Sequence, residues 1–279
     1  MNRTGIGWCD FTSNPIRARN RETGKVGHFC IHVSEGCENC YAGEWNHTRY
    51  GTGLDFIAQN RDKVEMFLHE PALAEILRYK GPAARCFICD MTDLFAEWVP
   101  DEWIDHVFAT MALQPRLTFQ LLTKRPERMR AYLAGQRWLA IEAAGAEQGY
   151  YFERRPMYGD WPLPNVWLGV SAENQHWLAQ RWPYLEATPA AVRYLSIEPM
   201  LGAIDLRLDE MNPAKRPQWI IVGGESGARR RPFDLDWARD VKRQCDEAGV
   251  AYFFKQGSAF KPGQPSGDTT LDAAKAWPL

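Results

Sequence analysis

Gln218-Trp219-Ile220-Ile221-Val222-Gly223-Gly224-Glu225-Ser226-Gly227 decides how this chain is read. An unbroken apolar run gives way abruptly to two glycines and a carboxylate. A strand with one wet face alternates apolar and polar residues, whereas a strand covered on both faces does not. Residues 218–222 therefore predict a strand of a parallel sheet that carries helices on both sides. The same signature recurs at 85–90, 118–122, 165–170, 193–197 and 251–254. Helical periodicity fills the intervals at 102–113, 126–134, 176–185 and 235–248, the last with Asp234 as N-cap and Gly249 as stop. Strand–helix alternation of this kind implies βαβ crossovers. The expected fold is α/β: a complete or partial (β/α) barrel with a mostly parallel sheet, favoured over an open doubly wound sheet. Residues 1–260 are read as a single barrel domain. It contains a cysteine loop at 28–42 and a candidate insertion at 136–164, rich in Gly, Pro and aromatics. The Pro/Gly-rich tail at 261–279 is expected to be loosely ordered. Phe11 to Val26, polar and basic, fits the rhythm poorly.

Composition sets limits. The 279 residues are 45% hydrophobic and 24% charged, enough for a large core, and the net charge is −2. No global basic field advertises nucleic acid, so any such contact would be a local patch. No apolar run approaches the ~20 residues of a membrane span. The N-terminus lacks an apolar signal core, so the expected location is cytoplasmic with no membrane association. Seven cysteines, an odd number and unevenly spaced, favour metal ligation and buried thiols over disulfides.

Cys30, Cys37 and Cys40 lie together in the loop His28 to Ala42. Three thiolates are one short of a closed structural zinc site. An iron–sulfur cube held by three cysteines keeps one iron open for a small molecule. Thiolates suit both metals, and His28, His32 or Cys9 are in the right stretch to complete a zinc knuckle, so both alternatives stand. Cys86 and Cys89 fall three apart on a predicted strand and would face opposite ways. With Cys245 they are read as buried thiols.

Polar residues gather where the predicted strands end, the position at which barrels of this class place their chemistry. They include Asp93, Lys124, Ser171, Glu173, Glu198, Glu225 and Lys255. Helix N-caps account for Ser171, Thr123 and Ser226 equally well. Glu198, Glu225, Lys124 and Lys255 are different, because charge at the edge of a buried sheet is costly unless paired or used. These four are candidate catalytic residues, with a structural ion-pair network as the alternative.

Cys30 followed by Gly36-Cys37-Glu38-Asn39-Cys40-Tyr41-Ala42 resembles the radical S-adenosylmethionine (radical SAM) superfamily, and Cys40-Tyr41-Ala42 its spore photoproduct lyase-like branch. More closely, the chain resembles a phage-associated three-cysteine-motif family of unknown function. The likeness lies at Ser34-x-Gly36-Cys37-x-x-Cys40-Tyr41-Ala42, Asp93-Leu94-Phe95, Leu122 to Arg128, Gly169-Val170-Ser171-x-Glu173-Asn174, Ser196 to Pro199, Gly223 to Gly227 and Phe254-Lys255-Gln256. Two departures stand out. Six residues separate Cys30 from Cys37 where the common radical SAM pattern has three, and Gly223-Gly224-Glu225 falls late in the chain instead of after the second strand.

This resemblance implies a metal-binding, TIM-barrel-like enzyme with a 4Fe–4S cluster on Cys30, Cys37 and Cys40. Its second cofactor would be S-adenosylmethionine, cleaved reductively to a 5′-deoxyadenosyl radical. On the same basis Asp93 would hold the amino group and Lys124 the carboxylate of SAM. Ser171 and Glu173 would bond the ribose, and Tyr41 would shield the cluster or stack on adenine. Glu225 would lie near substrate or ribose. An electron-donor protein is implied, and a further partner protein is a candidate. Basic stretches at Arg17 to Lys25, Lys124 to Arg130 and Arg229 to Arg231, with twelve tryptophans, make nucleic acid the candidate substrate, for modification or repair. Two rival functions are a non-catalytic zinc-binding module for nucleic acid or protein, and a metal-independent barrel hydrolase with Glu198 and Glu225 as its carboxylate pair.

Overall fold

The computed structural model describes residues 1–48, 51–135, 137–149 and 162–278. The strand that anchored the sequence reading forms as expected, at Trp219–Gly223. Trp219, Ile220, Ile221 and Val222 are each 0% exposed, which is why no polar alternation marks it. The chain falls into two compact units, 1–167 with 188–191, and 168–187 with 192–279.

The first unit begins with β1 (Asn2–Arg3), β2 (Phe11–Ser13), β3 (Ile16–Asn20) and β4 (Val26–Gly27), then helix α1 (Tyr41–Thr48). It continues through β5 (Val64–Leu68), α2 (Glu70–Leu77), β6 (Ala84–Ile88), α3 (Asp101–Ala112), β7 (Leu117–Thr123), α4 (Pro126–Ala134) and α5 (Trp138–Glu147). Its main strands stand in the order β1-β2-β6-β7. β1 pairs antiparallel to β2; β2 with β6 and β6 with β7 are parallel. Helix α3 buries Ile104, Val107, Phe108 and Met111, the i, i+3, i+4, i+7 stripe of a helix on a core.

Strand β8 (Val166–Ser171) starts in the first unit and ends in the second. The second unit adds α6 (Gln175–Glu186), β9 (Val192–Ile197), β10 (Trp219–Gly223), α7 (Leu235–Ala248), β11 (Ala251–Gln256) and α8 (Thr269–Ala273). Strands follow the order β8-β9-β10-β11, and β10 pairs parallel to both β9 and β11. Helix α7 carries its caps as read: the Asp234 side chain accepts from the Asp236 N–H, and Gly249 takes the left-handed conformation at φ 68°. The fold is thus α/β with a mostly parallel sheet, in which β1 is the antiparallel member. No helix among the described residues is long and apolar enough to cross a membrane.

The segment Phe11 to Val26 proves structured. It supplies β2 to the main sheet, and β3 and β4 to a separate antiparallel sheet ordered β4-β3-β5. In β3, Ile16, Ala18 and Asn20 point inward while Arg17 is half-buried and Arg19 exposed. That is the period-2 alternation of a one-sided sheet, which a search for continuous apolar runs passes over.

The tail is a second correction. Residues 261–278, expected to be loosely ordered, are tied down. Leu271 of α8 is buried. The Phe254 N–H donates to the Ala274 carbonyl at 2.8 Å and the Ala276 N–H to the Tyr252 carbonyl at 3.0 Å. Trp277 packs edge-on against Phe253 at 5.0 Å. Backbone pairing along β11 outweighs the local Pro/Gly composition. Of the candidate insertion at 136–164, residues 138–147 form α5, while residue 136 and residues 150–161 lie outside the described set.

Candidate functional site

The cysteine loop is built on the small sheet of the first unit. Ala18 of β3 and Val64 of β5 pack with Phe29, Ala42 and Phe56, and Cys30 and Cys40 lie partly buried against that cluster together with Met66, Met91 and Trp98. A turn of 3-10 helix at Glu35–Cys37 leads toward α1, with the Cys37 N–H on the Ser34 carbonyl at 2.9 Å and the Cys40 N–H on the Cys37 carbonyl at 3.2 Å.

Cys30 and Cys40 stand within electrostatic reach of the neighbouring sulfurs. Burial pushes the Cys30 thiol up to about 12; Arg125 opposes this, while Asp93, Cys40 and Cys37 add to it. Cys40 is raised chiefly by burial and also by Cys37, against hydrogen bonds from the backbone of Gly43 and Ala42 and the charge of Lys124. Cys40 thus stands at the N-terminus of α1, where backbone N–H groups favour a thiolate. Ser34 Oγ lies 3.8 Å from Cys37 Sγ.

By donor type and burial this set fits a thiolate-held group. Among the described residues, no group of three or more His, Cys, Asp or Glu side chains is arranged to hold a single metal ion. Cys9 Sγ is 3.9 Å from the Ile6 carbonyl. His28 is buried near Arg17 and His69. His32 is exposed, near Asp55 and Glu38. Cys86, Cys89 and Cys245 are buried thiols, as read, each raised first by burial.

Asp93 sits just after β6 and is buried. Its Oδ1 accepts from the Phe95 N–H at 3.0 Å and the Thr123 hydroxyl at 2.8 Å. Its Oδ2 accepts from the Lys124 N–H and from Arg125 Nη1, both at 3.1 Å. A carboxylate has about four lone-pair directions, and here they are filled from within the protein. The sequence-based role of Asp93 as the amino-group holder therefore fits poorly; it organises the end of β7 instead. Lys124 is half-buried beside this network and within electrostatic reach of Cys40. Tyr41 is 42% exposed, and its hydroxyl donates to the Asp90 carbonyl at 2.9 Å. Its ring stands edge-on to the exposed Trp45 at 6.3 Å.

Arg125 belongs to the basic stretch Lys124 to Arg130, expected to face a nucleic acid. It is buried instead, at 7% exposure. Nε bonds both oxygens of Glu97 at 3.0 Å, Nη1 reaches Asp93, and Nη2 donates to the Ile31 carbonyl at 3.2 Å. Its guanidinium carbon lies 5.1 Å from the centre of the Trp98 ring. Other members of the basic stretches are paired too: Arg128 with Asp101 at 2.8 Å, Arg19 with Glu65 at 3.3 Å and Arg231 with Glu225 at 2.6 Å.

In the second unit the strand ends carry a different set. Glu173 is 0% exposed and bonds Arg181 Nη1 at 2.8 Å, while the same Nη1 donates to the Ser171 carbonyl at 2.9 Å. Trp177 covers the Arg181 guanidinium at 4.2 Å. Ser171 is buried. This is a sealed ion pair, so the ribose role read for Glu173 and Ser171 has no open oxygen of Glu173 to work with. Glu198 is more accessible. Its Oε1 pairs with Lys255 Nζ at 3.0 Å and Ser196 Oγ donates to Oε2 at 3.4 Å, with side-chain exposures of 27% for Lys255 and 13% for Glu198.

The glycine pair explains itself here. A Cβ on Gly223 would fall 2.6 Å from Glu198 Oε1, and one on Gly224 would fall 2.8 Å from the Ser258 backbone nitrogen. Glu225 is clamped by Arg231 through both oxygens. Glu198 and Glu225 thus each hold a cation of their own, Lys255 and Arg231. Arg125 and Arg231 lie in basic stretches that the sequence singles out, though for a different role; Arg181, ten positions past Ser171 and inside α6, was missed and left no such signal.

With the geometry in hand, the chain can be placed by comparison. It belongs to the family described as "Protein of unknown function (DUF5131)", whose model matches residues 3–275. No curated protein and no solved structure matches it.

Proposed function

We propose that this protein is a radical SAM-like enzyme that holds a 4Fe–4S cluster through Cys30, Cys37 and Cys40, binds S-adenosylmethionine beside it, and acts on nucleic acid. The observation that carries the reading is that one loop supplies three free cysteines, Cys37 buried and Cys30 and Cys40 partly buried against the same apolar cluster, with Arg125 acting on Cys30 and Lys124 on Cys40. When bound, a cluster with one open iron supplies the one-electron reductive cleavage of SAM that yields a 5′-deoxyadenosyl radical.

The chain's own residues do the rest. Phe29, Phe56 and Ala42 pack under Cys30 and Cys40 and exclude water from that side. The N–H groups of Ala42 and Gly43 support a thiolate at Cys40. Lys124 supplies a positive charge suited to a carboxylate. Tyr41 and Trp45, exposed side by side, offer stacking faces for a base. Within the second unit, Glu198 and Lys255 form a partly exposed ion pair at the ends of β9 and β11. The matching fold reading is a partial (β/α) barrel of the radical SAM kind. It is supported by the place of the cysteine loop in the chain, between the first two parallel strands, β2 and β6. An electron-donor protein belongs to the same reading.

The test is anaerobic purification and reconstitution with iron and sulfide, then metal analysis with optical and paramagnetic resonance spectra, with and without SAM. Iron and sulfide in equal amounts, with spectra that change on adding SAM, are expected. Cys37→Ala should lose the cluster and Cys245→Ala should keep it. A colourless protein with one zinc and no iron overturns the reading in favour of a zinc-binding module. A catalytic activity that survives loss of all three loop cysteines would point to the metal-independent hydrolase.

A further inference from the structure

We infer that Arg125 is the positioning residue of the cysteine loop and the buried positive charge that sets the reduction potential of the group those cysteines hold. This rests on the reading of the loop as a cluster site. It starts from a contradiction in the sequence pattern: an arginine in a Lys-Arg-Pro-Glu-Arg run ought to be solvated, yet Arg125 is 7% exposed. Four directions of its guanidinium are used. Nη2 donates to the Ile31 carbonyl at 3.2 Å, one residue from Cys30 and 94 positions away in sequence. Nη1 holds Asp93 at 3.1 Å, Nε holds Glu97 at 3.0 Å, and the Trp98 face closes the stack at 5.1 Å.

A flat fork of fixed donors is what only arginine offers. It pins the backbone beside Cys30 to the end of β7 without touching sulfur. Its charge is the second consequence. Asp93 is buried with it and neutralises it in part, but Glu97 is 66% exposed and screened by water. Without the guanidinium, Asp93 and Glu97 would stand there with no cation between them. Reduction adds an electron to a thiolate-held group, and a nearby fixed cation in a low-dielectric setting stabilises the reduced form.

The test is a potentiometric titration with dithionite of the reconstituted protein, followed by paramagnetic resonance, alongside iron analysis. Arg125→Met should lower the reduced-to-oxidised ratio at fixed potential at least tenfold, a shift of about 59 mV to more negative values for one electron. Arg125→Lys, which keeps the charge but not the fork, should return the potential toward wild type while holding less iron. If Arg125→Met does not fold, Glu97→Gln decides, because removing that carboxylate leaves Arg125 less compensated and should move the potential to more positive values. A potential unchanged in Arg125→Met with full iron, or unchanged or lowered in Glu97→Gln, overturns this inference alone. A wild-type protein that takes up no iron overturns the cluster reading and this inference together.

Discussion

Asp93 and Arg125 meet at 3.1 Å with side chains 8% and 6% exposed, and the pair ties the end of β6 to the end of β7. Removing one partner of such a pair strands the other charge in a low-dielectric site. Asp93→Ala is expected to cost about 3–5 kcal/mol, read from urea midpoints at constant m. A loss below about 1 kcal/mol, the range of exposed ion pairs, would show that water reaches Arg125.

Glu173 and Arg181 make the equivalent pair in the second unit, with exposures of 0% and 3%. Glu173→Gln should lower the melting temperature and leave any measured affinity for SAM unchanged. A variant that folds as stably as wild type but loses SAM binding would restore the ribose role to Glu173.

His28 gives the chain an acid-sensitive step. Burial, then the charges of Arg17 and His69, lower it from 6.5 to about 3, while the Ile16 backbone opposes the shift. The folded state thus keeps His28 neutral where the unfolded chain protonates it. This stability is fully present above pH 6.5 and is lost as the pH falls toward about 3. The slope should be on the order of 1.4 kcal/mol per pH unit. Denaturant midpoints measured across that window should flatten in His28→Gln; equal slopes in both proteins would refute the assignment.

Gly223→Ala places a Cβ 2.6 Å from Glu198 Oε1. The carboxylate must swing off Lys255 or the strand must shift, at about 1–3 kcal/mol. Gly5→Ala meets nothing within 4 Å and serves as the control in the same thermal melts.

Deleting residues 268–279 should destabilise the second unit, because it uncovers β11 and removes the buried Leu271. Increased hydrogen exchange along β11 is the expected readout. Unchanged protection would mean the tail is an ornament, as its Pro/Gly content first suggested.

Much of the scaffold was legible without coordinates. Six predicted parallel strands appear within two residues of their expected ends, as with 193–197 against Val192–Ile197, because covering both faces of a strand leaves an unbroken apolar run. Helix α7 announced both its ends through Asp234 and Gly249, since caps are local chemistry. The small sheet was not legible. Its strands are short, one-sided and interrupted by arginines, and β3 finds β5 only across 44 or more positions of chain.

The sequence by itself determined the parallel α/β scaffold, the three-thiol loop and the belt of charge at the strand ends, because each is written in residues close together along the chain. Only the tertiary structure decided what those charges do. Whether Arg125 faces a nucleic acid or is a buried staple, and whether Glu173 is a ligand or a sealed ion pair, depends on which distant carbonyl or carboxylate the fold brings within hydrogen-bond reach. Desolvation then makes that pairing obligatory.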